Sequence, residues 1–315
     1  MNMGGYELLI MKPSLIFTLI ILPLASSAIG KPPYPPELPD AREMVYKTVG
    51  ETKLKLWIFE PDGHKNSDER PAVVFFFGGG WRSGTPGQFE MQCKYLASRG
   101  MITMTADYRV SSRNGTKATA CVEDGKSAVR WIRKNARQLG VDPAKVAAGG
   151  GSAGGHVAAA IASVPGFEKD DKTSSAPDAL LLFNPAVILA DVPGKFEVSA
   201  EKMASRRERI GADPKKISPY HHVRKGLPPT IIFHGTNDAA VPFRTVQLYE
   251  KHAQSEGNSC KLVAFEGKPH GFFNWGRFDN APFRKTMFAS DQFFGSLGWI
   301  KGKPTVDSFL RKHGK

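Results

Sequence analysis

Cysteine is scarce: 315 residues hold three, Cys93, Cys121 and Cys260. An odd number leaves a free thiol whatever pairs form, and the spacings match no metal motif. A disulfide-rich scaffold and a zinc module are therefore excluded, and buried or incidental thiols are expected. No repeat of 20–50 residues and no low-complexity tract is present, which excludes solenoids and arrays. Zinc-finger spacing and interleaved aromatic–basic patterns are also missing, so no nucleic-acid partner is indicated. Long hydrophobic runs are absent too. The most apolar stretch, Leu15–Leu24, is too short for a comfortable membrane span. Acidic residues are the minority, 30 against 43 Lys and Arg, for a formal net charge of +13. The basic residues are spread along the chain, as on a solvated face; attraction to an acidic polymer or surface is the alternative.

What is present starts at the N-terminus. Lys12 precedes the apolar run, and Ala25-Ser26-Ser27-Ala28 follows it, with small residues at the −3 and −1 positions of a cut after Ala28. This is the order of a cleavable secretory signal, and it predicts a secreted or periplasmic protein. No cysteine follows the cut, which argues against a lipid anchor. An uncleaved anchor is the alternative. Residues 29–42 form a Pro-rich lead, expected to run extended over the surface.

Beyond it, strands alternate with helices. Glu43–Val49 and Leu54–Phe59 read as a strand pair. Ala72–Phe77 is a continuous apolar run, as for a strand buried on both faces. Gln88–Arg99 has helical periodicity, and Met101–Tyr108 is a further strand. In Thr119–Leu139, Val122, Val129, Ile132, Ala136 and Leu139 repeat near 3.6, so one long helix is expected. Val146–Gly149, Ala179–Phe183, Thr230–His234 and Cys260–Phe265 read as strands. Ala153–Ser163, Phe243–Gln254 and Phe283–Leu297 read as helices. The alternation predicts an α/β fold, a mostly parallel sheet with helices on both faces. Residues 43–300 read as one domain with a small cap insertion at about 184–229, and 301–315 as a basic tail.

The chain is organised around Ser152. Gly150-Gly151-Ser152-Ala153-Gly154 fits G-x-S-x-G, a serine on a sharp strand-to-helix turn. Side chains two residues either side would collide at such a turn, and the N–H of the following residue, Ala153, is aimed at an oxyanion. Alone the pattern is weak: at ~10% Gly and ~6% Ser, chance gives it roughly one time in five in a chain this long. The same glycines, Gly149, Gly151 and Gly154, also satisfy G-x-G-x-x-G. That reading needs an acid at the tip of a second strand about 20 residues on. Glu168, Asp170 and Asp171 lie near that distance, but in a polar loop, so dinucleotide binding is disfavoured.

A serine hydroxyl needs an oriented base. On such a sheet the chain order should be Ser, acid, His. Asp238 follows the fifth buried strand, and His270 follows the sixth in a mobile-looking loop. His252 falls inside a helix pattern and His313 in the tail. Singly, Asp238 could be a turn residue and His270 a loop residue; in this order, each just past a strand, they form a candidate triad. Gly79 and Gly80, with Ala153, are candidate oxyanion donors, since glycine leaves the backbone N–H groups open to approach.

Gly78-Gly79-Gly80-Trp81 with Gly84, Asp107-Tyr108-Arg109, the Ser152 turn, His234-Gly235-Thr236-Asn237-Asp238 and His270-Gly271-Phe272 together resemble the α/β-hydrolase fold esterases. The similarity runs from about Val45 to Leu297. It is strongest to the hormone-sensitive-lipase-like and bacterial carbohydrate-esterase-like carboxylesterases. It implies a Ser152–Asp238–His270 triad, no cofactor and no metal. One position departs: the family usually reads His-Gly-Gly-Gly-Trp, and Phe77 occupies the histidine's place, which puts the bracing of that loop in question.

The expected function is carboxylester hydrolysis of a small-molecule or carbohydrate ester. A serine peptidase or amidase of the same fold, and a non-catalytic binding protein, are the alternatives. A peptidase usually carries a large extra domain, for which there is no room here. The cap segment is rich in charge and poor in apolar residues, which favours short acyl groups on a bulky alcohol such as a sugar.

Overall fold

Apolar runs without a polar break form strands buried on both faces. In β3 (Arg70–Phe76), Val73 and Phe75 face one core while Ala72, Val74 and Phe76 face the other. Strand β6, Ala179–Phe183, alternates in the same way. The computed structural model describes Met1, residues 33–167 and residues 172–314. Its contacts divide the chain into Met1–Lys31 and Pro32–Lys315, and the second unit is the one described below. The signal segment read at residues 1–28 lies, Met1 apart, outside the described residues, as do Glu168, Asp170 and Asp171.

The first elements are β1 (Arg42–Val49), β2 (Thr52–Phe59) and β3, then helix α1 (Glu90–Ser98) and β4 (Ile102–Ala106). Next come α2 (Ser111–Asn114), α3 (Ala118–Lys134), α4 (Ala136–Leu139), β5 (Val141–Gly151), α5 (Ala153–Ser163) and β6. The chain continues through α6 (Ala200–Ile210), β7 (Thr230–Gly235), α7 (Phe243–Ser255), β8 (Cys260–Phe265), α8 (Ala281–Ser296) and α9 (Val306–His313). The described strands make one eight-stranded sheet, ordered β1-β2-β4-β3-β5-β6-β7-β8. β1 and β2 run antiparallel to their neighbours, and β4 onward across the sheet is parallel. Helices α3, α5 and α7 cover one face, and α1, α8 and α9 cover the other. This is the α/β-hydrolase fold.

Helix α5 is buried along its whole length. It crosses α3 at Gly125, where a Cβ would lie 2.7 Å from Val157 Cγ1 and 2.8 Å from Ile161 Cδ1. That close crossing fixes the helix that begins just after Ser152. The three thiols are unpaired and buried, and burial pushes each of them up in pKa. No helix among the described residues is long and apolar enough to cross a membrane.

Four segments differ from the sequence expectation. The helix read as Thr119–Leu139 breaks at Asn135, whose φ of −103° and ψ of 13° separate α3 from α4. The strand read as Val146–Gly149 extends back to Val141 and on to Gly151. The segment read as a basic tail carries α9, whose Val306 and Phe309 are buried, and Phe309 meets the rings of Tyr95 and Phe283. The Pro-rich lead does not merely lie on the surface, since Leu38 packs into the core and Tyr34 donates to Asp107 Oδ2 at 2.5 Å.

Candidate active site

Parallel strands bring their carboxyl ends to one edge, and the loops there carry the predicted residues. β5 ends in the turn to α5. There Ser152 adopts φ 53° and ψ −116°, a conformation that costs an L-residue of order 1–3 kcal/mol. Two flanking glycines permit it. A Cβ on Gly150 would stand 2.5 Å from the Phe76 carbonyl oxygen, and one on Gly154 would stand 2.0 Å from the same atom. The Ser152 N–H donates to the Phe183 carbonyl at 2.9 Å, and its carbonyl accepts from His156 N–H, which ties the turn to β6 and α5.

β7 ends at the loop holding Asp238, which is 6% exposed. Its Oδ1 accepts from the N–H groups of Ala240 and Val241, both at 2.9 Å. Its Oδ2 lies 2.7 Å from His270 Nδ1, on the loop after β8, and 3.3 Å from His234 Nε2. Burial alone would raise this carboxyl; hydrogen bonds from His234, His270 and Val241 outweigh it and hold the group well below the usual carboxylate range. Asp238 is thus ionised and accepts a hydrogen bond from the Nδ1–H of His270, which leaves Nε2 as that ring's basic nitrogen. His234 is fully buried. Its Nε2 lies 2.9 Å from the Val241 carbonyl, so that nitrogen carries the proton and the ring pins the Asp238 loop to β7.

β3 ends at the glycine loop. Gly79 has φ 129° and Gly80 φ 64°, and a Cβ on Gly79 would overlap the Ser83 carbonyl oxygen at 2.0 Å. The Gly78 N–H is consumed by Gln88 Oε1 at 2.6 Å, whereas no protein acceptor among the described residues takes those of Gly79 and Gly80. Ala153 opens α5, and the first N–H groups of a helix have no intrahelical partner. Gly79, Gly80, Ala153, Ser152 and His270 all border one cavity of about 1080 Å³, walled by Ile188, Leu189, Val241 and Phe273.

The loop is braced without the usual histidine. Phe77 is buried and stacks on Tyr108 with ring centroids 4.1 Å apart, and the Tyr108 hydroxyl donates to the Phe77 carbonyl at 2.6 Å. Arg109 locks the end of β4 onto α3 through Asp124, with contacts at 2.8 Å. Trp81, at φ 60°, donates its indole N–H to His156 Nδ1 at 3.1 Å, and His156 Nε2 meets the Ile217 carbonyl at 2.7 Å. Burial lowers His156 to about 4, so the ring stays neutral and bridges the glycine loop to the cap segment.

Sequence reasoning missed five side chains that hold this geometry. Besides His234 and His156 they are Gln88, Asn274 and Asn184. Gln88 Nε2 donates to Asn274 Oδ1 at 3.0 Å, and Asn274 Nδ2 donates to the Gly271 carbonyl at 2.9 Å. A continuous chain of hydrogen bonds therefore runs from Gly78 to the residue after His270. Asn184 Oδ1 accepts the Gly271 N–H at 3.0 Å and ties the same loop to the end of β6. No group of three or more His, Cys, Asp or Glu among the described residues is placed to hold a metal ion.

The fold and the site are those of an α/β-hydrolase fold esterase. Residues 56–252 match the family model described as BD-FAE, and the chain belongs to that family. Among solved structures it is similar to a thermophilic esterase of the Planctomycetes species Thermogutta terrifontis with butyrate bound. The two are 51% identical with a TM-score of 0.82, covering 86% of this chain and 99% of that one. Esterase 2 of Thermogutta terrifontis phosphonylated by sarin is 50% identical, with a TM-score of 0.83 over 86% of this chain and 100% of that one. The probable carboxylic ester hydrolase LipM of Mycobacterium tuberculosis is 30% identical over 183 residues, 55% of this chain and 42% of LipM. The chain thus spans less than half the length of that curated relative.

Proposed function

We propose that the protein is a serine carboxylester hydrolase acting on short acyl esters. Ser152 Oγ attacks the ester carbonyl while His270 Nε2 takes its proton. Asp238 holds His270 in the required tautomer and stabilises the imidazolium that forms. The N–H groups of Gly79, Gly80 and Ala153 receive the oxyanion. His270 then returns the proton to the leaving alcohol, and water repeats the sequence to release the acid. The observation that carries this reading is the His270 contact with buried Asp238 at 2.7 Å, with the same histidine and Ser152 bordering one cavity. The relative with bound butyrate supports a short acyl group. The sarin adduct of its kin supports an activated nucleophile, since a phosphonyl centre is attacked as an ester carbonyl is.

The finer reading is an acetyl group on a carbohydrate. The cap helix α6 supports it: among its eleven residues only Ile210 is fully buried, and Glu201, Lys202, Arg207 and Glu208 are exposed. Such a cover offers no broad apolar face to a long lipid chain. Export after cleavage at Ala28 would bring the enzyme to extracellular glycans. The test is kcat/KM for 4-nitrophenyl acetate, butyrate, octanoate and palmitate beside acetylated xylo-oligosaccharides. A maximum at acetate or butyrate with acetate released from the sugars is expected. A maximum at octanoate or beyond overturns the acyl assignment, and intact sugars overturn the carbohydrate one.

A further inference from the structure

Two arginines of α6 border the cavity of Ser152, and the hydrolysis just described uses neither. Arg206 and Arg209 are three residues apart, so they share a face of the helix. Both are half-buried, whereas Arg207 and Glu208 between them are exposed. Arg209 reaches the glycine loop: its Nη1 is 3.8 Å from where a Cβ on Gly80 would stand. Neither guanidinium forms an ion pair among the described residues, and Arg206 donates only to the Leu189 carbonyl, at 3.0 Å.

The charge around them is not balanced. Arg82 also borders the cavity. Of the two acids there, Glu90 is tied to Lys94 at 2.7 Å, and Glu37 on the lead pairs with neither arginine. Burial, and then the like charge of Arg209, pull Arg206 below the usual guanidinium range, with Asp191 opposing them more weakly. Two adjacent cations beside walls of Ile188, Leu189 and Phe273 carry a desolvation and repulsion cost that a bound anion would relieve.

We infer that Arg206 and Arg209 bind a carboxylate on the alcohol portion of the ester, so that the preferred substrate is a short acyl ester of an acidic alcohol, such as an acidic sugar. This rests on the serine-esterase reading and deepens it. The charge belongs to the alcohol because acetyl to butyryl groups have no place for one. A planar guanidinium can take both oxygens of a carboxylate, which suits arginine better than lysine to the task.

The test compares 3-acetoxybenzoate with 3-acetoxybenzamide, two acetates of similar size that differ in charge. Each kcat/KM is divided by the rate of the same ester in hydroxide, which removes leaving-group reactivity. The wild-type ratio should favour the carboxylate by about tenfold or more, as for hydrogen bonds to a charged group, and should shrink as salt is added. In the Arg206→Gln, Arg209→Gln double variant the ratio should fall to within about twofold of unity. Arg207→Gln, on the exposed face, should keep the wild-type ratio. A wild-type ratio near one overturns the inference without any variant, and so does a preference that survives the double substitution. If only the benzamide is hydrolysed, the esterase reading stands and this inference falls; if neither ester nor 4-nitrophenyl acetate is hydrolysed, both fall.

Discussion

Asp238→Asn changes one atom of the side chain and should disable the site by moving a proton. The carboxylate receives four donors: Ala240 N–H and Val241 N–H on Oδ1, both at 2.9 Å, and His270 Nδ1 at 2.7 Å with His234 Nε2 at 3.3 Å on Oδ2. An asparagine can keep its oxygen on the two backbone N–H groups. Its NH₂ then faces both histidines. His234 retains its bond to the Val241 carbonyl at 2.9 Å, but His270 must accept at Nδ1 and so carry its proton on Nε2. That is the nitrogen which has to take the proton of Ser152. The wrong tautomer should cost roughly 10³–10⁴ in kcat, about 4–5.5 kcal/mol of transition-state stabilisation. Stability should fall as well. The charge-assisted His270 bond becomes a neutral one in a place where residue 238 is only 6% exposed; about 1 kcal/mol is expected. The assay is kcat with 4-nitrophenyl butyrate together with urea unfolding of both proteins. A variant within tenfold of wild type in kcat would show that His270 is oriented by another group, and the reasoning would fail even if stability dropped as expected.

Gln88→Leu should cut the path from Gly78 to Asn274 and lower kcat by about tenfold with little change in KM, because the oxyanion is held only in the transition state; steady-state kinetics decide this, and a change confined to KM would count against it. His156 binds its proton only near pH 4 when folded and near 6.5 when unfolded, so its contribution to stability is complete above pH 6.5 and is lost as the pH falls from there towards 4. Between pH 6.5 and 5 the wild type should lose about 1.6 kcal/mol that His156→Asn does not lose, measured by urea unfolding at both values, and parallel slopes would refute the assignment. The exported protein should begin near Ile29; N-terminal sequencing of material from its own host checks this, and retention of Leu15–Leu24 would mark an anchor.

The central strands were legible because burial on both faces leaves uninterrupted apolar runs; β6 begins and ends with its run. Where a segment is polar, the strand was hidden: Asp142, Pro143 and Ala144 belong to β5 but carry no strand signature. The break at Asn135 escaped because periodicity reports which face is buried and not whether the backbone is continuous. Ile132, Ala136 and Leu139 keep to one face across it, while Asn135 turns its amide back to the Trp131 carbonyl at 2.8 Å. Helix α9 was obscured by Arg311 and Lys312 on its exposed side, its inward side resting on few apolar residues, Val306 and Phe309 among them, with His313 packed on Phe309. At the site, Ser152, Asp238 and His270 stood out because each follows a strand and the three occur in the order a triad requires. The bracing residues had no such local mark. Gln88 and Asn274 are 186 positions apart, and Asn184 and Gly271 are 87 apart, so only the folded sheet edge brings them together. His234 and His156 stood inside or beside the recognised motifs, and that adjacency was the one signal available for them.

The proposed chemistry requires Ser152 to be a nucleophile activated by His270. Incubation with a fluorophosphonate, followed by intact-mass and peptide mapping, tests it most directly, because an ordinary serine hydroxyl does not react. One adduct per chain on the peptide containing Ser152, absent in Ser152→Ala and strongly slowed in His270→Ala, is the expected result. An unlabelled wild-type chain, or an adduct on another residue that persists in Ser152→Ala, would contradict it.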